Sequence, residues 1–132
     1  MTGRRKILVV DDDSSIREIL STQLARLGYD VELACDGQEG LDAFKAAPPD
    51  LVLMDVMMPV LDGLTACQKM RAAERKGGRR VPILFLTARD SRHDKTSAAL
   101  SGGDDFVPKP VSIDELRERL DAALRKNTPK PS

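Results

Sequence analysis

ILVVDDDSSIREIL, residues 7–20, passes from an apolar run through three acidic residues into a helical pattern. The run Ile7–Val10 is apolar throughout, which is typical of a strand buried on both faces of a parallel sheet. Asp11 to Asp13 follow directly, and carboxylates this close together repel one another. The stretch therefore predicts either a cation at the end of the strand or a carboxylate that points into solvent and caps the next helix.

The segment after the acidic residues has the pattern of an amphipathic helix. Its apolar residues share one face at helical spacing: Ile16, Leu20, Leu24 and Leu27. Ser15 and Glu18 form a capping-box pattern that we expect to start the helix. Asp13 is a second candidate for the cap, and we favour that role for it over metal ligation. Gly28 stands where a helix stop belongs.

Strand patterns recur along the chain. Two more continuous apolar runs, LVLM (51–54) and ILFL (83–86), predict buried strands. VELA (31–34) alternates, which favours a strand nearer the edge of the sheet. FV (106–107) is a short fifth candidate, and Pro108 directly after it fits only an edge strand.

Four further helix patterns follow the later strands. Leu41 and Phe44 mark the second helix, which Pro48 and Pro49 end. The other three are marked by Leu64, Cys67 and Met70; by the weakly apolar stretch 91–101; and by Ile113, Leu116, Leu120 and Leu124, with Ser112 and Glu115 as a second capping box. Five alternations of strand and helix predict an α/β fold, in which helices cover both faces of a parallel sheet.

Composition limits the class of protein. The chain has 132 residues, the size of one domain, and its 21 basic residues balance 21 acidic ones. This neutrality argues against direct contact with nucleic acid, so we interpret the basic cluster RAAERKGGRR (71–80) as a flexible, solvated loop. No apolar stretch is long enough to span a membrane. We expect one domain over residues 1–126 and a polar tail or linker over 127–132.

Two cysteines, Cys35 and Cys67, lack any metal-binding spacing. We interpret both as reduced packing residues, which fits a cytoplasmic protein.

Chemically distinctive residues follow four of the predicted strands. Ligands bind beyond the carboxyl ends of the strands in such a sheet. The residues at these ends are Asp11, Asp12, Asp13, Asp55, Thr87 and Lys109. Hard oxygen ligands from two strands suit Mg²⁺, and Asp55 is a candidate nucleophile that would form an aspartyl phosphate. Mg²⁺, Lys109 and the Thr87 hydroxyl would neutralise the phosphoryl oxygens.

From about Lys6 to Arg125, the sequence resembles a bacterial two-component receiver domain. The matching motifs are the acidic pair in VVDD (9–12), Asp55 in MDVMMP (54–59), DG (62–63), TA (87–88) and KP (109–110). The resemblance implies a flavodoxin-like fold with five parallel strands in the order 2-1-3-4-5. It also implies a phospho-acceptor signalling switch of a histidine–aspartate phosphorelay, and not an enzyme that turns over an external substrate.

The same resemblance implies a role for each matching residue. Asp55 would accept the phosphoryl group. The Mg²⁺ ligands would be Asp12 directly, Asp11 directly or through water, Asp55, and the backbone carbonyl of Met57. The phosphoryl-binding and switch residues would be Thr87, Ala88, Phe106 and Lys109. For Phe106, a plain core role stays open as the alternative.

The resemblance also implies partners. A sensor histidine kinase or phosphotransfer protein would donate the phosphoryl group. Phosphorylation would change the face formed by the fourth predicted helix, the fifth strand and the fifth predicted helix, and so control an output domain or docking protein. The same face is the candidate for a homodimer.

We expect Met57 and Arg89 to hinder attacking water, so that the phosphorylated form decays slowly. No membrane partner is expected.

Other functions are compatible with parts of the sequence. Asp11-x-Asp13-x-Ser15 is similar to the nucleophile motif of haloacid-dehalogenase-type phosphohydrolases, with Asp11 as nucleophile. In that family the lysine precedes the distal acidic pair, whereas Lys109 follows it, and Asp55 would have no role. A degenerate receiver that serves only as a docking surface is disfavoured because the acidic, threonine and lysine positions are complete. The sequence leaves undecided whether this receiver stands alone or belongs to a longer regulator.

Overall fold

The structure is a computed structural model that describes residues 4–74, 78–88, 102–109 and 111–126, without the side chains of Thr87, Ala88, Lys109 and Lys126. Five strands form one sheet: β1 (Lys6–Val10), β2 (Asp30–Ala34), β3 (Leu51–Asp55), β4 (Ile83–Ala88) and β5 (Asp105–Lys109). Each predicted apolar run lies inside one of these strands, so the predicted strands are confirmed.

Four helices are described: α1 (Ser14–Arg26), α2 (Gly37–Ala46), α3 (Gly63–Ala73) and α4 (Ile113–Lys126). α4 is the fifth predicted helix, because the fourth, over residues 91–101, lies outside the described residues. The predicted tail at 127–132 lies outside them as well. Gly28, at φ +95°, follows the end of α1 as predicted. Within the described part of the chain, no helix has the length and apolar character needed to cross a membrane.

The strand order is β2-β1-β3-β4-β5, and all four pairings are parallel, which confirms the predicted topology. Val10, at the end of β1, aligns with Ala34 of β2 and Met54 of β3. The carboxyl ends of these strands therefore meet at one edge of the sheet. β2 and β5 are the outer strands, and Pro108 lies within β5, where an edge position tolerates a residue without an N–H donor.

The core is divided between the two faces of the sheet, because successive strand residues point to opposite sides. On one face, Leu8 packs in a cluster with Phe44 of α2 and Met70 of α3. On the other face, Ile7 packs with Leu24 of α1 and with residues of α4. Each fully buried side chain of this size contributes roughly 1.5–3 kcal/mol of transfer free energy. Burial on both faces explains why the central strands are apolar without alternation.

α1 begins differently from one sequence prediction. Asp13 has an extended backbone, and its side chain accepts a hydrogen bond from Ser15 N at 2.8 Å. Ser15 already lies inside the helix, so the Ser15–Glu18 capping box is wrong and the alternative, Asp13 as cap, is confirmed. At the start of α4, Ser112 Oγ accepts from Glu115 N at 3.1 Å, as the second capping-box pattern predicted.

The interpretation of the basic cluster as a solvated loop is wrong in part. Arg71 belongs to α3, its side chain is only 16% exposed, and it pairs with Glu74 at 3.1 Å and Asp104 at 2.8 Å. Arg80 also pairs with Asp104. The Asp104 carboxylate accepts from Ile83 N at 2.8 Å, so these ion pairs join α3 to the entry of β4. Local composition did not reveal these acidic partners.

The two cysteines differ in environment. Cys67 of α3 is buried in the core as expected, and this burial raises the pKa of its thiol to about 11. Cys35 is exposed directly after β2, so the packing role predicted for it is wrong. Its Sγ donates to Glu39 Oε2 at 3.2 Å, and this hydrogen bond is the main reason that the pKa of the Cys35 thiol is raised.

Candidate functional site

Three carboxylates meet at the carboxyl edge of the sheet. Asp11 and Asp12 follow β1, and Asp55 is the last residue of β3. Each offers one oxygen, and these oxygens all lie within 4.8 Å of one another. β1 and β3 are adjacent and in register, so the sheet itself brings the two acidic positions together. The structure thus groups three of the four acidic residues that the sequence singled out at these two strand ends, and Asp13 is the exception.

Asp11 is fully buried. Among the described residues it is the one polar or charged residue that is buried. Its N–H donates to Ala34 O at 3.1 Å and so extends the contact between β1 and β2 by one residue. Its Oδ1 accepts from Asp13 N at 2.9 Å, and its backbone carbonyl accepts from Arg17 Nη1 at 2.6 Å. These contacts fix the orientation of Asp11. Sequence reasoning missed Arg17, since nothing local marks an arginine of an amphipathic helix as part of a site.

Asp12 and Asp13 are both exposed, but they have different surroundings. Asp12 contributes to the acidic group, whereas Asp13 caps α1 and lies outside that group. The favoured role of Asp13 as a cap therefore agrees with the geometry.

Asp55 ends β3 in a partly buried position, and Met57 N lies 3.4 Å from its Oδ1. Asp55 is aligned with Leu86 of β4. It is thus the last residue of a central strand, with neighbouring strands on both sides, and the chain turns away immediately after it. Such a position makes the direction of the carboxylate depend on the strand pairing rather than on a loop.

The turn after Asp55 is held closely against α3. Gly63 N donates to Val56 O at 2.9 Å, and the side chain of Asp62 caps α3 by accepting from Thr65 N at 2.8 Å. A Cβ atom on Gly63 would lie 2.1 Å from the backbone oxygen of Asp55. Only glycine allows this approach. The sequence analysis noted the DG pair as a motif but did not assign it this packing role.

The same turn carries two exposed apolar residues. Met57 is 74% exposed and Val60 is 81% exposed. Val60 also has φ +69°, a left-handed conformation that is strained for a β-branched residue by roughly 1–2 kcal/mol. Strain of this kind persists only where the neighbouring structure imposes it, and here Asp62 and Gly63 fix the following residues.

The backbones of β4 and β5 bring the remaining predicted residues to the same edge. Thr87 follows Leu86, the partner of Asp55, and Ala88 is aligned with Lys109 at the end of β5. Phe106 of β5 is partly buried and packs against the core cluster of Leu8 and Met70. The side chains of Thr87, Ala88 and Lys109 lie outside the described residues, as does Arg89, so their predicted roles stay predictions.

The acidic group fits a hard divalent cation. Mg²⁺ prefers carboxylate and carbonyl oxygens and keeps several water ligands. Three carboxylate oxygens within 4.8 Å of one another, one of them on a fully buried residue, provide such a set of ligands. A cation there would also offset the repulsion among the carboxylates. These residues could therefore hold a metal.

Residues 7–121 match the family model described as the response regulator receiver domain. The chain is 48% identical over 124 residues to "Response regulator MprA" of Mycolicibacterium vanbaalenii and 47% identical to the protein of the same name from Mycobacterium avium. These matches cover 94% of this chain but 52% and 53% of the two relatives. The chain therefore spans about half the length of the curated relatives it matches.

Solved structures with the same fold include a chemotaxis protein and a receiver domain. Chemotaxis protein CheY4 of Vibrio cholerae superposes with a TM-score of 0.84 at 33% identity, covering 92% of this chain and 99% of that one. The receiver domain of sensor histidine kinase PA1611 from Pseudomonas aeruginosa superposes with a TM-score of 0.83 at 34% identity, covering 94% and 99%. The latter structure has a magnesium ion coordinated in its active-site cleft.

Proposed function

The chain belongs to the response regulator receiver domain family of two-component systems, and from this premise we propose that Asp55 is its phosphoryl acceptor. The observation that carries the proposal is the acidic group, which joins Asp55 to Asp11 and Asp12 within 4.8 Å. A carboxylate beside two others is a poor nucleophile in isolation, because the charges repel the incoming phosphate. The same carboxylate becomes suitable once a divalent cation offsets that charge.

The reaction is a single displacement at phosphorus. An oxygen of the Asp55 carboxylate supplies the electron pair that forms the new O–P bond. The P–N bond of the donor phosphohistidine breaks, and the imidazole nitrogen keeps that electron pair and is protonated by water. The product is an aspartyl phosphate, which later reacts with water to regenerate Asp55 and inorganic phosphate. No external substrate is turned over, so the domain acts as a switch.

Asp11, Asp12, Asp55 and the backbone carbonyl of Met57 would hold Mg²⁺. When bound, the ion supplies charge neutralisation and a fixed orientation for the phosphoryl oxygens. Asp11 is the most constrained of these residues, because its N–H and its Oδ1 both have backbone partners. Asp12 is exposed and is free to adjust its side chain when a ligand enters.

Thr87, Ala88, Lys109 and Phe106 would read the state of Asp55. We propose that the Lys109 ammonium and the Thr87 hydroxyl contact the phosphoryl oxygens. The Phe106 side chain would move inward together with Thr87. Support comes from the backbone register, because Ala88 aligns with Lys109, and Thr87 follows the residue paired with Asp55. Two states of these side chains would change the surface of β5 and α4.

We assign the partners by the same chemistry. A sensor histidine kinase or phosphotransfer protein would supply the phosphoryl group, and the changed face would control an output domain, a docking protein or a second copy of the chain. Because the chain spans about half of its curated relatives, the output in a longer protein is part of this proposal. The cytoplasm is the compartment in which such a partner kinase domain would act.

Met57 and Arg89 would limit access of water to the phosphorylated Asp55. Met57 is 74% exposed two residues after Asp55, so its side chain is available to cover the site. We expect the variants Met57→Asn and Arg89→Glu to lose phosphate faster than the wild type, as measured by the decay of the phosphorylated mass after the donor is removed. Equal decay rates in all three proteins would contradict this role.

Labelling by a small acyl phosphate tests the acceptor. We expect acetyl phosphate with Mg²⁺ to add one phosphoryl group, detected by intact mass. Asp55→Asn or a chelator should abolish the addition. Asp13→Asn is the matched control, because Asn also caps helices and Asp13 lies outside the acidic group.

The labelled position also separates the two candidate reactions. Borohydride reduction followed by peptide mapping should mark Asp55. Label on Asp11 would instead support the phosphohydrolase alternative, which the family match and the relatives do not favour. The capping role of Asp13 also removes one residue of the Asp11-x-Asp13-x-Ser15 motif from that chemistry.

A further inference from the structure

We propose that Arg17 is a positioning residue for the metal-binding carboxylates. Its guanidinium holds the backbone between Asp11 and Asp12 in the geometry that a divalent cation requires. The inference rests on the proposed Mg²⁺ site and adds to it a residue of α1 that is not itself a ligand.

The contact that carries the inference is short and charge-assisted. Arg17 Nη1 donates to the backbone oxygen of Asp11 at 2.6 Å, in a partly buried position. That oxygen belongs to the peptide unit that joins Asp11 to Asp12. Because the peptide unit is planar, fixing its oxygen also fixes the direction in which the Asp12 backbone leaves β1. Arg17 thus sets the origin of the Asp12 side chain.

The other groups of Asp11 are held by elements on different sides. Its N–H bonds to Ala34 of β2 at 3.1 Å, and its Oδ1 accepts from Asp13 N at 2.9 Å. Arg17 adds a side-chain contact from α1. Because a backbone carbonyl on a fully buried residue needs a hydrogen-bond donor, loss of Arg17 removes a contact that this carbonyl uses.

If Arg17 acted through its charge alone, it would weaken metal binding instead of supporting it. Its field reaches the ends of β1 and β2, since it lowers the pKa of the Cys35 thiol, although Glu39 raises that pKa by more. A fixed positive charge near the acidic group weakens the binding of another cation. Removal of Arg17 should therefore tighten metal binding if the residue acts only through its charge. Removal should loosen binding if the residue positions Asp11 and Asp12.

The sign of the change in metal affinity is therefore the test. We would titrate the full chain with Mn²⁺, follow free Mn²⁺ by electron paramagnetic resonance, and obtain Mg²⁺ affinity by competition. We expect Arg17→Ala to bind about tenfold more weakly, the lower end of the range for groups that orient metal ligands. Arg17→Lys, which keeps the charge and a donor, should stay within about threefold of the wild type. Arg26→Ala is the matched control, because it removes the same charge from the far end of α1.

Thermal melts of the metal-free proteins show whether a variant binds metal more weakly because it is unfolded or because its carboxylates are misplaced. If Arg17→Ala does not fold, Arg17→Met decides, because it keeps an unbranched apolar side chain but loses both the donor and the charge, and weaker binding by this variant supports positioning. Equal or tighter binding by a folded Arg17→Ala or Arg17→Met would overturn the inference. Failure of the wild type itself to bind Mn²⁺ would instead contradict the proposed metal site, and with it the premise of the inference.

Discussion

At the scale of single residues, Asp11 is a fully buried carboxylate at the end of β1. A fully buried carboxylate loses its hydration, which costs several kcal/mol unless hydrogen bonds or a counter-ion replace it. The N–H of Asp13 supplies one such bond at 2.9 Å. Asp12 and Asp55 add like charges within 4.8 Å, which increases the cost. A cation bound at the proposed site would offset this cost.

Cys67 gives a prediction for alkaline pH. Burial raises the pKa of its thiol from 9.0 to about 11, so the folded protein keeps the proton longer than the unfolded chain does. This contribution to the free energy of unfolding is present below pH 9 and is lost as pH rises through 11. We expect a loss of about 2 kcal/mol over this range from Cys67 alone. Urea unfolding at a series of pH values should show a shallower decline for Cys67→Ala, and an identical decline would contradict the prediction.

At the scale of elements, the turn from β3 to α3 combines close packing with exposure. Gly63 and the Asp62 cap hold the start of α3 against the end of β3. Between the end of β3 and the start of α3, Met57 and the strained Val60 are exposed. The hydrogen bonds at both ends of the turn hold Asp55 in place, whereas the exposed middle would be accessible to the proposed phosphoryl donor.

Gly63→Ala should distort this turn. The added Cβ would lie 2.1 Å from the Asp55 backbone oxygen, so Asp55 and α3 must move apart. We expect a loss of about 3 kcal/mol in the free energy of unfolding and a clear decrease in labelling by acetyl phosphate. Chemical denaturation and intact mass measure the two effects.

Gly28→Ala is the matched control for Gly63→Ala. Its φ of +95° makes alanine strained, but no atom lies within 4 Å of the added Cβ. A loss of about 1 kcal/mol with unchanged labelling is expected. Wild-type stability of Gly63→Ala would show that the turn can relax and that the close approach is not required.

At the scale of the whole molecule, the proposed metal binding would be coupled to folding, because the unfolded chain does not keep β1 and β3 side by side. Mg²⁺ at a hundred times its dissociation constant should raise the free energy of unfolding by about 2.7 kcal/mol. Asp12→Asn should remove most of this effect. It should also stabilise the metal-free protein by about 1 kcal/mol, since one of three like charges is gone.

Urea unfolding with Mg²⁺ and with a chelator measures both parts of this prediction. Asp13→Asn serves as the control, because Asp13 is exposed and lies outside the acidic group. It should respond to Mg²⁺ as the wild type does. Full Mg²⁺ stabilisation of Asp12→Asn would exclude Asp12 as a ligand.

Strands, fold class and the strand ends that carry the distinctive residues could all be predicted from the sequence. Burial on both faces makes a strand apolar throughout, and edge strands carry their own signs, such as the alternation in β2 and Pro108 in β5. These patterns are local, so they can be read without contacts. Asp55 was found for the same reason, because it directly follows a readable strand.

Only the tertiary structure decided which side chains act together across the fold. Asp13 rather than Ser15 caps α1, and Arg17 reaches the carbonyl of Asp11. Arg71 finds Asp104 more than thirty residues away, and Gly63 meets the backbone of Asp55. The contact of Arg71 joins residues that are far apart in the chain. The contacts of Asp13, Arg17 and Gly63 join near neighbours, but they depend on the path of the chain between a strand and a helix, which packing of the sheet against the helices fixes.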